Sequence, residues 1–314
     1  MKALITGING FAGSHLCDLL LAQGYEVHGL IQPDTGTENI IHCLDGLKLE
    51  ETDILDENKL HSFIASDKPD FLFHLAAASS VKLSLEHPKE AFDANVSGTV
   101  NILEAVRNGS PKTRALIVSS SEVYGASSSM TKADENAALL PLNPYSASKA
   151  SADILARTYA SSFGLNIIVA RPGNHLGPRQ SPVFFVPTVA KQVALIMKER
   201  QAPVIELGNI DVKRDFLDVR DVADAYLALA KSGKTGAYNI SSGKNYLLRD
   251  IVQMFIAMSG KKIAIRRSSE KLRRTDALEA NIDNSKISRE TGWKPEVPIE
   301  KTLRDTLDYW LLKS

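Results

Sequence analysis

At its seventh residue the chain passes from an apolar run, Ala3-Leu4-Ile5, into a turn carrying three glycines, Gly7-Ile8-Asn9-Gly10-Phe11-Ala12-Gly13. The helix-like stretch Ser14–Leu21 follows at once. Nothing else in the sequence restricts the fold so strongly. A strand that feeds a helix through glycines opens a parallel α/β sheet, and each glycine has a task. One allows the tight turn, one lets the backbone come close to a pyrophosphate, and one lets helix and strand pack together. The new helix presents free N–H groups and a partial positive charge to that pyrophosphate.

The alternation continues over the first 170 residues. Tyr25–Ile31, Phe71–Leu75, Ala115–Ser119 and Leu165–Ala170 read as strands. Val96, Val100 and Leu103 recur at helical spacing, as do Ile154, Leu155 and Thr158. Strands alternating with helices imply a parallel sheet covered on both faces. The expected class is α/β, a doubly wound parallel sheet of Rossmann type with a smaller α/β C-terminal lobe. The Pro/Gly cluster Arg171–Pro178 suits a crossing between lobes. Residues 1–170, with a returning segment near 211–235, are assigned to the first lobe, and 171–210 and 236–314 to the second. Val219–Ala230, Leu247–Met258 and Ile299–Leu311 are expected helices, and Ser127–Ser129 a small polar loop.

Composition removes several classes of function. Lys+Arg and Asp+Glu both number 37, so no basic excess exists for nucleic acid. No apolar run approaches the roughly 20 residues that span a bilayer, and the apolar start is too short for a signal peptide. Cys17 and Cys43, the only two cysteines, cannot build a disulfide framework or a thiolate-rich zinc site. The seven histidines show no ligand spacing, so no metal is expected. A cytoplasmic, reducing setting is the expectation.

The chemistry centres on Tyr145-Ser146-Ala147-Ser148-Lys149. Spacing of i, i+4 puts tyrosine and lysine on one helix face. A neighbouring ammonium lowers a phenol's pKa and readies it to protonate a forming alkoxide. The spacing recurs at Tyr309 and Lys313, read as an ordinary C-terminal helix, whereas Tyr145 follows Pro144 at a helix start. Ser120 lies where an expected strand ends, and ligands of such sheets sit outside the carboxyl ends of strands. Its hydroxyl either polarises a substrate carbonyl or caps a helix. Glu122 is either catalytic or a solvated carboxylate at the pocket edge.

Together, the G-x-x-G-x-x-G turn, Ser120 and the Tyr145–Lys149 pair resemble the extended short-chain dehydrogenase/reductases, the NAD-dependent epimerase/dehydratase family, over essentially the whole chain. The resemblance makes Ser120, Tyr145 and Lys149 the catalytic triad. It implies that Gly7, Gly10, Phe11, Ala12 and Gly13 hold a nicotinamide dinucleotide. Asp53 and Ile54 would meet its adenine edge, and Leu75, Ala76 and Ala77 would line it. Asn95 matches the family's helix asparagine, though alone it reads as a cap. Tyr145, Lys149, Pro172 and His175 complete the implied cofactor site. The acid expected after the second strand is replaced by Leu30-Ile31-Gln32-Pro33, with Asp34 late, so NADP(H) and NAD(H) both stay open.

Within that family the second half is most similar to the GDP-4-dehydro-6-deoxy-D-mannose reductases, with the GDP-mannose 4,6-dehydratases as near neighbours. Asn174–Pro182, Phe185-Val186-Pro187, Gly208–Val222, Tyr238-Asn239-Ile240, Leu272-Arg273 and Thr291–Pro295 carry this resemblance. It implies a nucleotide diphosphate sugar, GDP-linked, met by Ser79, Ser80, Ser120, Glu122, Asn174, Val186, Lys191, Arg214 and Arg273. Arginine's planar fork suits the diphosphate, while any one arginine reads equally as a surface ion pair. The implied reaction is NAD(P)H-dependent reduction of a 4-keto group to GDP-D-rhamnose or its 4-epimer. In the dehydratases a glutamate at the place of Glu122 removes the sugar's carbon 5 proton and assists loss of the carbon 6 hydroxyl. A 4-epimerase is the third enzymatic option, and a cofactor-sensing protein the non-catalytic one. Gly173 departs from the reductases' usual bulky residue, and Arg274-Thr275-Asp276 from their usual Pro-Ser-acid run. The helices around Val96–Val106 and Tyr145–Tyr159 resemble the family's dimer interface, so a homodimer or homotetramer is expected. His74 is expected to bond or pack in the core.

Overall fold

The structure, a computed structural model, describes residues 1–130, 132–268 and 281–314. Strand β1 (Lys2–Thr6) passes through the glycine turn into helix α1 (Phe11–Ala22), then β2 (Glu26–Ile31) and β3 (Leu47–Glu51). Helix α2 (Glu57–Asp67) leads to β4 (Phe71–His74). Helices α3 (Val81–Glu86), α4 (Pro88–Phe92) and α5 (Gly98–Gly109) precede β5 (Arg114–Val118). A helical turn, α6 (Ser127–Met130), stands where the sequence suggested a polar loop. Next come α7 (Pro144–Phe163), β6 (Ile167–Pro172), β7 (Asn174–Leu176), α8 (Phe185–Met197), β8 (Val204–Leu207) and β9 (Lys213–Asp218). The chain closes with α9 (Val219–Ser232), β10 (Gly236–Ile240), β11 (Asn245–Leu247), α10 (Leu248–Ser259), β12 (Ala264–Arg267), α11 (Ser285–Thr291) and α12 (Ile299–Lys313).

Seven of these strands make one parallel sheet in the order β10-β6-β5-β4-β1-β2-β3. The order reverses between β1 and β4, so connections leave these two strands in opposite directions. A crevice therefore opens outside their carboxyl ends. Ala3, Leu4 and Ile5 are wholly buried because helices cover both faces. On one face, Leu16 and Leu20 of α1 pack with Val222, Tyr226 and Leu229 of α9. On the other, Leu60 and Ile64 of α2 pack with Ile102 and Val106 of α5 and Ala156 of α7. A separate core joins α8, α10 and α12 through Val189, Val193, Phe255, Leu303 and Leu307. It accompanies a three-stranded sheet, β11-β9-β7, and the parallel pair β12-β8.

One assigned boundary changes. Residues 236–314 do not all leave the first sheet: β10 pairs in parallel with β6, and Ile287 and Trp293 join the first core. Hydrogen bonding explains the return. Trp293 Nε1 donates to the Asp221 carbonyl at 3.0 Å, and the Asp221 carboxylate accepts from the Glu296 and Val297 amides. Such non-local bonds leave no periodic trace in sequence.

Helix α7 begins where its chemistry needs it to begin. Asn143 caps it, accepting from the Ser146 amide at 2.8 Å, while Ser146 Oγ accepts from the Asn143 amide at 3.2 Å. Pro144 fills the first helical position, where its missing N–H costs nothing. Tyr145 thus enters in the first turn, beside the crevice.

Candidate active site

The glycine turn is as tight as its residues suggest. Gly7 has φ +70°, and a Cβ there would stand 3.0 Å from the Ala76 backbone. A Cβ on Gly13 would stand 2.2 Å from the Gly7 carbonyl oxygen. Gly10 caps α1 without a side-chain hydrogen bond, so no side chain competes for the N–H groups of the first turn. Backbone donors at a helix N-terminus, with no Cβ in front of them, fit a dinucleotide diphosphate. Leu75 and Ala76 follow β4 directly opposite: their amides donate to Thr6 O at 3.2 Å and Thr6 Oγ1 at 3.1 Å. Asp53 Oδ1 accepts from the Leu55 amide at 2.9 Å. The Ile54 side chain fills the space before Gly98, where a Cβ would meet it at 2.5 Å.

Behind this cradle runs a buried polar chain. The Ala76 amide occupies one lone pair of Thr6 Oγ1, leaving the hydroxyl to donate to His74 Nδ1 at 2.8 Å. His74 Nε2–H then meets Thr99 Oγ1 at 3.2 Å, and Thr99 donates to Asn95 O at 2.7 Å. Burial, with the Lys149 ammonium adding, drives His74 down to about 3, so it is a neutral core hydrogen-bonder. Asn95 lies in a π-helical turn over Asp93–Ser97 and is buried. It is a clamp rather than a cap. Its Oδ1 accepts from the Ala78 amide at 2.8 Å, and its Nδ2 donates to Ala78 O at 3.1 Å and Ser148 Oγ at 2.8 Å. Ser148 donates to Tyr145 O at 2.8 Å, which ties the end of β4 to the start of α7.

Ser120, Glu122, Tyr145 and Lys149 come together at the carboxyl end of β5. Ser120 caps the turn that follows β5 and also reaches Tyr145. It accepts from the Glu122 amide at 3.1 Å and hydrogen-bonds the Tyr145 phenol. Lys149 is 6% exposed and donates to Val118 O. Burial lowers its amine to about 8, against the opposing influence of Asp153. The Tyr145 phenol differs from expectation. Burial pushes it up, the Glu122 carboxylate adds to that, and the Ser120 bond only partly opposes them. Tyr145 is therefore a neutral phenol with a proton to give. Asn143 Nδ2 lies 3.5 Å from Glu122 Oε2, holding that carboxylate on the Tyr145 side.

The remaining expected cofactor and substrate residues are scattered more widely. His175 stacks on Phe11 at 5.7 Å between centroids, and its Nδ1 bonds Gly173 O at 3.0 Å, so both reach the glycine turn. Pro172 is buried at the end of β6, and Asn174 opens β7 in an exposed position. Ser79 is exposed, and Ser80 caps α3 by accepting from the Leu83 amide at 3.3 Å. Ala77 lies in the same loop. Val186 is only 3% exposed and belongs to the second core. Lys191 holds its amine 5.4 Å from the Trp310 ring centroid, against α12. Arg214 lies on β9 opposite Tyr246, and its Nη1 donates to Lys213 O at 2.7 Å. Arg273 lies outside the described residues.

Sequence reasoning missed Asp153, Arg171 and Asp215. Asp153 continues the i, i+4 series from Tyr145 and Lys149, a signal that was available. Arg171 and Asp215 gave none. The Asp215 carboxylate is buried and accepts from Ser241 Oγ, the Ser242 amide and the Gly243 amide at 2.7–2.9 Å, a contact only the folded chain creates.

Comparison with known proteins identifies the family and the fold. The model of the family described as GDP-mannose 4,6 dehydratase matches residues 4–306. A GDP-6-deoxy-D-mannose reductase of Pseudomonas aeruginosa is 32% identical over 311 residues, 98% of this chain and 97% of that protein. The structure of RMD from Pseudomonas aeruginosa complexed with NADPH superposes with a TM-score of 0.86 at 30% identity, covering 100% of this chain and 99% of that one. The Thermus thermophilus UDP-glucose 4-epimerase in complex with NAD gives 0.88 at 29% identity, covering 99% of each chain. No helix among the described residues is long and apolar enough to cross a membrane.

Proposed function

Because the chain belongs to the GDP-mannose 4,6 dehydratase family of extended short-chain dehydrogenase/reductases, we propose that it reduces the 4-keto group of GDP-4-dehydro-6-deoxy-D-mannose with NADPH or NADH. The product is GDP-D-rhamnose, or its 4-epimer if hydride arrives on the other face. One observation carries the reading: the neutral phenol of Tyr145, bonded to Ser120 beside the switch-point crevice. The match of nearly its whole length to a reductase supports the same reading.

When bound, the reduced nicotinamide supplies hydride to carbon 4. The residues of this chain handle charge and protons. Gly7, Gly10 and Gly13 keep the diphosphate cradle open to backbone donors. Ser120 donates to the carbonyl oxygen as its charge grows, where a positioned donor is worth most. Tyr145 releases its proton to that oxygen, and the Lys149 ammonium stabilises the tyrosinate left behind. Arg214 and Arg273 are proposed to meet the nucleotide diphosphate. The enzyme is proposed to act as a cytoplasmic homodimer through α5 and α7, where Ile154 and Phe163 are each 49% exposed.

The position of Glu122 beside Tyr145 favours a second reading, dehydration of GDP-mannose, with Glu122 as base at carbon 5. One pair of incubations separates the two. The purified protein is given GDP-mannose alone, or the 4-keto sugar made by a separate dehydratase. Reduced-nicotinamide absorbance and product mass are followed. The reductase reading expects cofactor oxidation with the 4-keto sugar only. Loss of water from GDP-mannose without net cofactor turnover would replace it with the dehydratase. Inertness toward both would refute both.

A further inference from the structure

A buried ammonium on α7 is followed one turn later by a buried carboxylate, and that carboxylate is held by a buried guanidinium of β6. Lys149 is 6% exposed and Arg171, on β6, is 1% exposed. Asp153, one turn beyond Lys149 on α7, is wholly buried. Its Oδ2 accepts from Arg171 Nε at 2.7 Å, and its Oδ1 from Arg171 Nη2 at 2.9 Å and Arg157 Nε at 2.8 Å. The guanidinium is fixed in turn. Arg171 Nη1 donates to the Tyr124 hydroxyl at 2.7 Å and to Glu135 O at 3.1 Å, and Tyr124 donates to Asn239 Oδ1 at 2.7 Å. The described hydrogen bond of the Lys149 amine goes to a carbonyl, Val118 O, which brings no net charge.

We propose that Asp153 is a positioning residue that keeps Lys149 protonated, and that Arg171 locks it in that place. The functional consequence rests on the oxidoreductase reading above; the effect on Lys149 does not. Arginine stays charged in any protein setting, so if the carboxylate is lost the lysine is the group that yields its proton. The surroundings point the same way. On α7, Lys149 has Tyr145 one turn before it and Asp153 one turn after it. Across on β4, His74 is neutral and brings no charge. Glu122 beyond β5 acts on Tyr145, Tyr145 in turn acts on Tyr226 of α9, and the half-buried Arg157 spends its Nε on Asp153 itself. Asp153 is thus the carboxylate whose attraction opposes the desolvation of Lys149. Side chains i and i+4 on a helix lie close enough for a unit charge at this depth to move a titration by roughly one pH unit or more.

The test reads Lys149 directly. Protein labelled with 13C-lysine is titrated by NMR, and the Lys149 Cε resonance is identified by its loss in Lys149→Met. The wild type should titrate near pH 8. Asp153→Asn should lower that midpoint by about one pH unit or more, and Asp153→Glu, which keeps the charge, should restore most of it. Asn at this site leaves Arg171 without its carboxylate and risks misfolding, so Asp153→Ser, which leaves room for a water beside the guanidinium, provides a second route that likewise removes only the carboxylate. Its midpoint should also lie below the wild type. A midpoint unchanged in whichever of these two variants folds overturns the proposal. The alkaline limb of the reductase pH profile should move with the NMR midpoint. A moved midpoint with no activity toward the 4-keto sugar would refute the reductase reading while leaving the role of Asp153 intact.

Discussion

Gly13→Ala isolates one physical demand of the dinucleotide cradle, the close approach of helix to strand. Gly13 has no left-handed φ, so the substitution costs no torsional strain. It costs only space. The new Cβ would lie 2.2 Å from the Gly7 carbonyl oxygen and 3.0 Å from both the Gly7 carbonyl carbon and Ile8 Cα. All three are backbone atoms of the turn itself, and none can swing aside as a side chain would. Ordinary contact needs a retreat of roughly one ångström, and overpacking of this kind costs about 1–3 kcal/mol. Unfolding entropy of about 2.1 cal/mol/K per residue, over 314 residues, is about 0.7 kcal/mol/K. The Tm should therefore fall by about 1–4 °C. Dinucleotide affinity should fall further, by about tenfold or more, because the same retreat turns the first N–H groups of α1 away from the diphosphate. Thermal melts and NADH fluorescence titration measure the two effects. Gly24→Ala is the control. Its φ of +75° makes alanine strained, but nothing lies within 4 Å of the added carbon. It should lose about 1 kcal/mol and no cofactor affinity. Wild-type affinity in Gly13→Ala, or equal affinity losses in both variants, would refute the argument.

The remaining predictions concern the chemistry and the assembly. Tyr145→Phe should lower kcat for reduction by about a thousandfold, with dinucleotide affinity changed only several-fold, as single-turnover and binding measurements would register. Reduction should slow as pH rises through about 8, because Lys149 loses the proton that stabilises tyrosinate; steady-state rates in overlapping buffers would reveal the limb, and its absence would count against Lys149. Arg171→Met leaves the buried Asp153 carboxylate with Arg157 alone and its Oδ2 without the Arg171 N–H, and should cost about 3–5 kcal/mol in urea unfolding. Ile154→Arg, placed on the exposed face of α7, should convert a dimer into monomers in size-exclusion chromatography with light scattering, leaving the melting of the monomer near that of the parent.

Much of the site could be read along the chain because its parts obey local rules. The glycines were recognisable from their spacing and their place between strand and helix. Tyr145 and Lys149 were recognisable because a helix brings i and i+4 together, and the Asn143–Ser146 capping box explains why this pair, unlike Tyr309 and Lys313, stands at a helix start. The latter pair makes only a surface contact, with the Lys313 amine 5.0 Å from the Tyr309 ring centroid. Spacing alone does not give the ionisation of Tyr145. The sign of its shift depends on burial and on Glu122, and neither is a property of the helix. The resemblance places Lys191 and Val186 near substrate; what their spacing could not give is that one packs on Trp310 and the other is buried in the second core. Amphipathic spacing reveals that a helix has an inner face but not which neighbour will meet it.

By itself, then, the sequence determined the parallel α/β class, the tight glycine turn that opens the first helix and the shared helix face of Tyr145 and Lys149. Each follows from backbone sterics or helical periodicity within a few residues. The tertiary structure alone decided that β10 and α11 return to the first sheet, that Asn95 clamps β4 to α7, and that Arg171 reaches Asp153 across the end of the sheet. Those outcomes require groups far apart in the chain to satisfy one another where water is excluded. Their energetics depend on what folding brings together, so no local pattern could contain them.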